Sequence, residues 1–341
     1  PGGGSVTSSP SGINCPGDCS ELFDINTFIN LTETADPDFN FVNWTGAADC
    51  TDGDIDDLTE DTSCTANFAI KRFTVTVNIE GDGVGSVSST PPGINCPGDC
   101  SEEYDIHTAV TLNETTDPDS DFLGWTGPAD CADGIIQDLT QDITCTATFN
   151  LKRFTLNITK SGEGDGTVTS VPAGIDCGVD CDEVFIINTQ VTLSAVADPV
   201  SIFTGFSGHP DCEDGVVDML SDITCNANFD FLPLLLSPIF PGIKNNVNTM
   251  STGNSTPGGQ VAFVWGFQTG SFTVGGAVCA GTELGINPLQ LLGIVNADGS
   301  GVAELIFFVP SLGNIAQVFT QAVDIGPCRT SEVVQNTLGS N

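Results

Sequence analysis

Twelve of the chain's fourteen cysteines fall into a repeating pattern, and cysteines at fixed spacing do one of two things: they close disulfides or they hold a metal. Cys15, Cys19, Cys50 and Cys64 recur as Cys96, Cys100, Cys131 and Cys145. They recur again as Cys177, Cys181, Cys212 and Cys225, the last after a one-residue deletion. The first cysteine of each set follows the previous one at an interval of 81 residues. In "CPGDC" a Pro-Gly bend separates two thiols by three residues, which suits a bridge across a tight turn. The spacing therefore predicts Cys15–Cys19 and Cys50–Cys64, with equivalents in each repeat, although four cysteines allow three connectivities. A four-cysteine zinc site is the alternative. The unequal spacings and the shortage of basic residues to balance thiolate charge weigh against it. Cys279 and Cys328 lie outside the pattern and form a natural single pair.

Carboxylates offer a second chemistry. Asp49, Asp52 and Asp61 recur as Asp130, Asp133 and Asp142, and as Asp211, Asp214 and Asp222, between the third and fourth cysteines. Oxygen ligands of this kind suit calcium, although no cofactor is required. The competing reading is that Asp beside Gly makes turns. Five Asn-x-Ser/Thr sequons, at Asn30, Asn43, Asn113, Asn157 and Asn254, are candidate glycan acceptors. Catalysis finds little support. His107 and His209 occupy different places in their repeats and read as surface residues. The later carboxylates, Glu283, Asp298, Glu304, Asp324 and Glu332, show no paired spacing. The expectation is that the protein is not an enzyme.

The elements that must position these residues are strands. "RFTVTVNI" (72–79) puts Phe73, Val75, Val77 and Ile79 on one face and polar residues on the other. "AVTLNET" (109–115) and "TCTATFN" (144–150) alternate likewise, and Gly- and Pro-rich turns separate them. Aromatic positions keep step with the cysteines: Phe41, Phe122 and Phe203; Trp44, Trp125 and Phe206; Phe68, Phe149 and Phe229; Phe23, Tyr104 and Phe185. The chain divides into repeat 1 (1–70), repeat 2 (71–151), repeat 3 (152–231), a Pro-rich linker (232–250) and a C-terminal β-sandwich (251–341). In that last part "QVAFVWGFQTG", "GVAELIFFVP" and "QVFTQAVDIG" are strand candidates, and "NADGSG" (296–301) is expected to turn a hairpin. Repeat 1 opens at "PGGGSVTSSP", which aligns with "DGVGSVSSTP" (82–91), so the alternating strand that opens the other two repeats has no counterpart in it. Either earlier residues of the protein, ahead of Pro1, supply that strand, or a sheet lacking it exposes an edge that a donated strand could fill, with "FLPLLLSPIF" (231–240) and "SEVVQNTL" (331–338) as donor candidates.

Composition narrows the function classes. Seven basic residues against 45 acidic ones give a net charge of −38, which excludes a general nucleic-acid binder and opposes anionic membranes. Paired cysteines place the chain in an oxidising compartment. No run of about 18 apolar residues is present to span a membrane, no signal peptide opens the sequence, and the chain reads as a processed, exported product.

The elements G-x-V-x-S-x-P-x-G-I-x-C, the aromatic before V-T-L, F-x-G-W-x-G and the terminal T-A-x-F strand stand together in residues 85–149. This combination resembles the divergent B-repeats of bacterial surface proteins, related to the internalin B-repeat, over residues 1–231. Repeat 3 departs from it at "GFSG" (205–208), where Phe206 stands for Trp. The resemblance implies an extracellular, β-rich, grasp-like or sandwich module used as stalk, spacer or adhesive surface, and it carries no catalytic residues. The C-terminal segment is similar to sandwich domains that end bacterial surface proteins. The expected protein is all-β: three disulfide-stapled repeats of about 81 residues and a sandwich, extracellular or on the cell surface. It would self-associate head-to-tail into a fibre, or act as a calcium-dependent adhesin toward a host or matrix glycan or protein.

Overall fold

The computed structural model describes residues 3–311, 313 and 316–339, and its regular structure there is strands with three short 3-10 turns. Two compact units divide the chain, residues 1–152 and 153–341. The first holds repeats 1 and 2. The second holds repeat 3 and the C-terminal region.

Repeat 2 shows the complete module. One sheet runs Ser101–Asp105, Arg72–Glu80, Ile143–Leu151, Ser120–Thr126. The other runs Ile135–Ile136, Val110–Thr116, Gly85–Thr90, Asn95–Cys96. Their inner faces close on a core that includes Val75, Val77, Val87, Val110, Leu112, Cys145 and Phe149. The period-two alternation is what makes this possible. In Ile143–Leu151 every second residue, Ile143, Cys145, Ala147 and Phe149, turns inward and is buried. Arg72–Glu80 and Ile143–Leu151, the first and last strands of the repeat, pair in parallel, Val75 opposite Ile143 and Val77 opposite Cys145. Repeat 3 has the same two sheets. Its first strand, Arg153–Ser161, is likewise parallel to its last, Ile223–Phe231.

A bulge between Phe122 and Gly124 shifts the register of Ser120–Thr126. It brings Phe122 and Trp125, three apart in sequence, onto one side with ring centroids 5.6 Å apart. The bulge recurs between Phe41 and Asn43 and between Phe203 and Gly205. Phe206 keeps the contact that Trp makes elsewhere, 4.8 Å from Phe203.

Residues 232–250, expected as a linker, are part of the C-terminal sandwich. Leu235–Leu236 pairs with Asn246–Gly253, which pairs in turn with Ala303–Val309. The cause is apolar content: Leu234 and Met250 are buried in the same core as Val261, Phe263 and Leu305. The opposing sheet runs Gln290–Asn296, Gln260–Gly266, Gln317–Asp324, Arg329–Thr330, with Val334–Thr337 also on Gln317–Asp324. Residues 296–301, expected as a hairpin turn, join strands of different sheets. Asp298 Oδ1 holds that crossing by accepting from the Ser300 N–H (2.9 Å), the Ser300 hydroxyl (2.7 Å) and the Val302 N–H (2.9 Å).

Candidate functional site: an open strand position in repeat 1

Each repeat carries two bridges and the C-terminal region carries one: Cys15–Cys19, Cys50–Cys64, Cys96–Cys100, Cys131–Cys145, Cys177–Cys181, Cys212–Cys225 and Cys279–Cys328. The longer bridge ties a 3-10 turn to the last strand, with Cys131 and Cys145 both fully buried. The shorter one closes the turn that leads into the strand flanking Arg72–Glu80.

Five of the nine repeated aspartates accept backbone N–H groups. Asp52, Asp133 and Asp214 each accept the N–H two residues on, at 3.2, 3.0 and 2.9 Å, shaping one turn three times. Asp142 accepts the Thr74 N–H at 2.8 Å, and Asp222 the Thr155 N–H at 2.8 Å, so each anchors the first strand of its repeat. Asp49, Asp130 and Asp211 sit in the 3-10 turns. Among the described residues no group of three His, Cys, Asp or Glu side chains is placed to hold a metal. Four of the sequon asparagines have their side chains in hydrogen bonds. Asn30 donates to Asp54 (2.7 Å), Asn113 to Thr90 (3.4 Å) and Asn254 to the Pro233 carbonyl (2.9 Å), while Asn43 accepts from Asn67 (3.1 Å). Asn157 lies exposed on the Arg153–Ser161 strand.

Charged side chains engage locally. His107 lies between Asp138 (Nδ1 to Oδ1, 2.6 Å) in its own repeat and Asp38 (Nε2 to Oδ1, 3.2 Å) in repeat 1, and the two carboxylates raise its pKa. His209 Nδ1 accepts the Asp211 N–H at 3.3 Å. The ammonium of Lys160 lowers the pKa of Asp165. Hydroxyls of Ser271 and Thr273 do the same for Glu283, and those of Ser300 with neighbouring N–H groups for Asp298. These groups are exposed, and none stands with a second carboxylate in a cleft.

The departure from the module is in repeat 1. Its first sheet is present, in the order Asn14–Cys15, Gly4–Ser9, Ile29–Ala35, Asp54–Ile55. Its second consists of Phe39–Gly46 and Cys64–Ile70 alone. Ser20–Asp24, the counterpart of strand Ser101–Asp105, forms no strand, and the counterpart of Arg72–Glu80 would fall ahead of Pro1. What remains is a groove of about 520 Å³ lined by Val6, Ile13, Leu31, Trp44, Ile55 and Phe68 among others. The side chains around it are under-buried one by one. Phe149 and Phe229 are wholly buried, whereas Phe68 is half-buried. Tyr104 and Phe185 are buried, whereas Phe23 is not; Cys96 and Cys177 are buried, whereas Cys15 is partly open. In the complete repeats this space holds Val75 and Val77, or Leu156 and Ile158, each at most 2% exposed.

Both donor segments read from the sequence are already built into the C-terminal sandwich. Leu234 is buried, Leu235–Leu236 is paired, and Asn336 and Leu338 are buried next to strand Gln317–Asp324. Sequence reasoning also passed over Arg329. It donates to the carbonyls of Leu232 (2.8 Å) and Asn254 (2.7 Å), pairs with Asp324 and stacks on Phe231. Its signal is weak: one arginine near a cysteine, outside any repeat.

Comparison with known proteins bears on the repeats. The family described as Divergent InlB B-repeat domain matches residues 1–72. No curated protein matches the chain. Among solved structures, the Bacillus anthracis TIE protein is similar at 11% identity and a TM-score of 0.34; the match covers 100% of this chain and 65% of that one. Domains 3-4 of the Streptococcal High Identity Repeats in Tandem (SHIRT) from a cell surface protein are similar at 10% identity and a TM-score of 0.20, over 47% of this chain and 98% of that one. A tetra-tandem repeat in the extending region of a large adhesion protein matches at 10% identity and a TM-score of 0.26, over 92% and 95%. Residues 1–72 thus match the model of the divergent InlB B-repeat family, and the cysteine pattern of that stretch returns twice in residues 73–231, the last copy one residue shorter.

Proposed function

We propose that this chain is a structural part of an extracellular stalk or fibre on a bacterial surface, built to carry load and contact and not to catalyse. The single observation behind this reading is the repetition itself: two disulfides, an aromatic pair and a two-sheet core, with the longer bridge tying each repeat's last strand to a neighbouring turn. A module this small has little core, and a bridge closing a loop of about 15 residues contributes about 3 kcal/mol. The net charge of −38 keeps such surfaces apart in solution. Head-to-tail joining of such chains into a fibre belongs to the proposal.

Single-molecule stretching with and without reductant tests the load-bearing part. Cys50 and Cys64 are 14 residues apart, so reduction should lengthen the unfolding step of a repeat by about 50 Å at ~3.5 Å per residue. Equal step lengths before and after reduction would count against it. Electron microscopy tests the joining part: threads support it, and isolated particles reject it.

A further inference from the structure

The acidic residues of this chain are unevenly placed. Residues 1–231 hold 40 of them against five basic residues. Residues 232–341 hold five, Glu283, Asp298, Glu304, Asp324 and Glu332, against Lys244 and Arg329. The C-terminal sandwich is thus close to neutral, and it carries a large apolar face. We infer that the outer face of its three-stranded sheet is a two-fold docking surface for the same face of a second copy of this chain. A two-fold contact closes on itself and makes pairs. It goes beyond the head-to-tail joining proposed above and does not rest on it.

Alternation builds the face. In Asn246–Gly253 and Ala303–Val309, residues Asn248, Met250, Leu305 and Val309 turn into the sandwich, which sends Val247, Thr249, Ile306 and Phe308 to the other side. The register sets these side by side: Val247 is opposite Phe308, and Thr249 is opposite Ile306. A single bridge then puts Phe240 next to Thr249. Phe240, Val247, Ile306 and Phe308 are 74, 54, 65 and 57% exposed. Glu304, one step further along the ladder and opposite Ser251, stands at the rim.

Three features name a second copy as the occupant. The first is area. Four side chains exposed to this degree present on the order of 400 Å² of apolar surface, the size at which a patch marks an interaction site. Packed against itself the patch buries about twice that, and a polar rim brings the total into the range of about 1,200–2,000 Å² that a stable pair needs. The second is shape. An isologous contact needs a projection and a recess on the same surface. Phe240, the most exposed of the four, borders an open depression of about 510 Å³ whose other walls include Thr249, Ser251, Val302 and Glu304. A two-fold pair seats each Phe240 in the other copy's depression. The third is charge. A contact through the repeats would press like charges together, whereas a contact through this face does not.

Sedimentation of the full chain over about 1–500 µM, in about 0.5 M sodium chloride to screen the repeats, tests the pairing. Expected is a monomer–dimer equilibrium. Ile306→Lys and Phe240→Ser should each weaken it at least about 10-fold, as central apolar contacts do. Leu291→Lys, at a residue equally exposed on the opposite sheet, should leave it unchanged. Melting at the lowest concentration checks that the variants fold like the parent. Should Ile306→Lys fail that check, Phe240→Ser, which lies outside the named strands, decides alone. A monomer at every concentration overturns the inference, including one that adheres through this face to neutral phosphatidylcholine vesicles or to a different protein. A dimer indifferent to both variants, or one weakened equally by Leu291→Lys, overturns it as well. Threads that persist in both variants with no separate dimer support head-to-tail joining and overturn this contact.

Discussion

Arg329 Nη2 lies 2.7 Å from Asp324 Oδ2, a wholly buried carboxylate, and the same guanidinium stacks 4.6 Å above the ring of Phe231 at the end of repeat 3. Asp324 also accepts the N–H and hydroxyl of Thr256, at 2.7 and 2.9 Å. One arginine therefore fastens the C-terminal sandwich to the last strand of repeat 3.

Replacing Arg329 by methionine should cost about 3–5 kcal/mol, because it leaves the Asp324 carboxylate buried without its cation. The loss should uncouple the sandwich from repeat 3. Denaturant melting would show this as one transition splitting into two, and an unsplit curve with an unchanged midpoint would disprove the coupling.

The His107 contacts make the junction of repeats 1 and 2 sensitive to pH. Hydrogen bonds to Asp138 and then Asp38 raise its folded pKa above the ordinary 6.5. A group with a raised folded value contributes stability that is complete below its unfolded pKa, here 6.5, and lost as pH climbs through the higher folded value. An NMR titration of the His107 ring should give a value above 6.5 that falls when Asp138 is changed to asparagine. His107→Asn, the residue at equivalent positions 26 and 188, should abolish the pH dependence of amide exchange around Asp38.

Reduction should be ordered by exposure. Cys19 is exposed and Cys15 half-exposed, whereas Cys50, Cys131, Cys145, Cys212 and Cys225 are fully buried. Brief treatment with a mild reductant followed by alkylation and mass mapping should label Cys15 and Cys19 first.

Phe149 and Phe68, equivalent positions of repeats 2 and 1, should differ in worth. Phe149→Ala removes a wholly buried ring and should destabilise repeat 2 by about 3–5 kcal/mol. Phe68→Ala, at the equivalent place beside the open groove, should cost clearly less. Melting of the two variants compares them directly, and equal losses would mean that the groove is closed in solution.

Salt should matter more than calcium. Raising sodium chloride screens the net charge of −38 and should raise the melting temperature. Because the repeated aspartates are spread over turns and strand anchors, millimolar calcium at matched ionic strength should add nothing further. A calcium-specific rise would place a metal among those aspartates.

The two-sheet repeat was legible because period-two alternation and register carry it: Val75 and Val77 inside, Thr74 and Thr76 toward solvent. The likeness of Gly4–Ser9 to Gly85–Thr90 was legible in the same way. Sequence reading failed where local chemistry was ambiguous. Prolines at 233, 238 and 241 read as linker signals, but Leu234 and Met250 found a core whose other half comes from residues more than fifty positions away. Asp298 signals a turn without saying whether the strands on either side share a sheet. The repeated aspartates signal either ligands or turn formers, and only the distances to Thr74 and Thr155 assign their part.

The parallel pairing of Arg72–Glu80 with Ile143–Leu151 decides how a repeat meets tension. When the two ends of repeat 2 are drawn apart, its first and last strands must slide past each other, so the hydrogen bonds between them resist together in shear and do not unzip in turn.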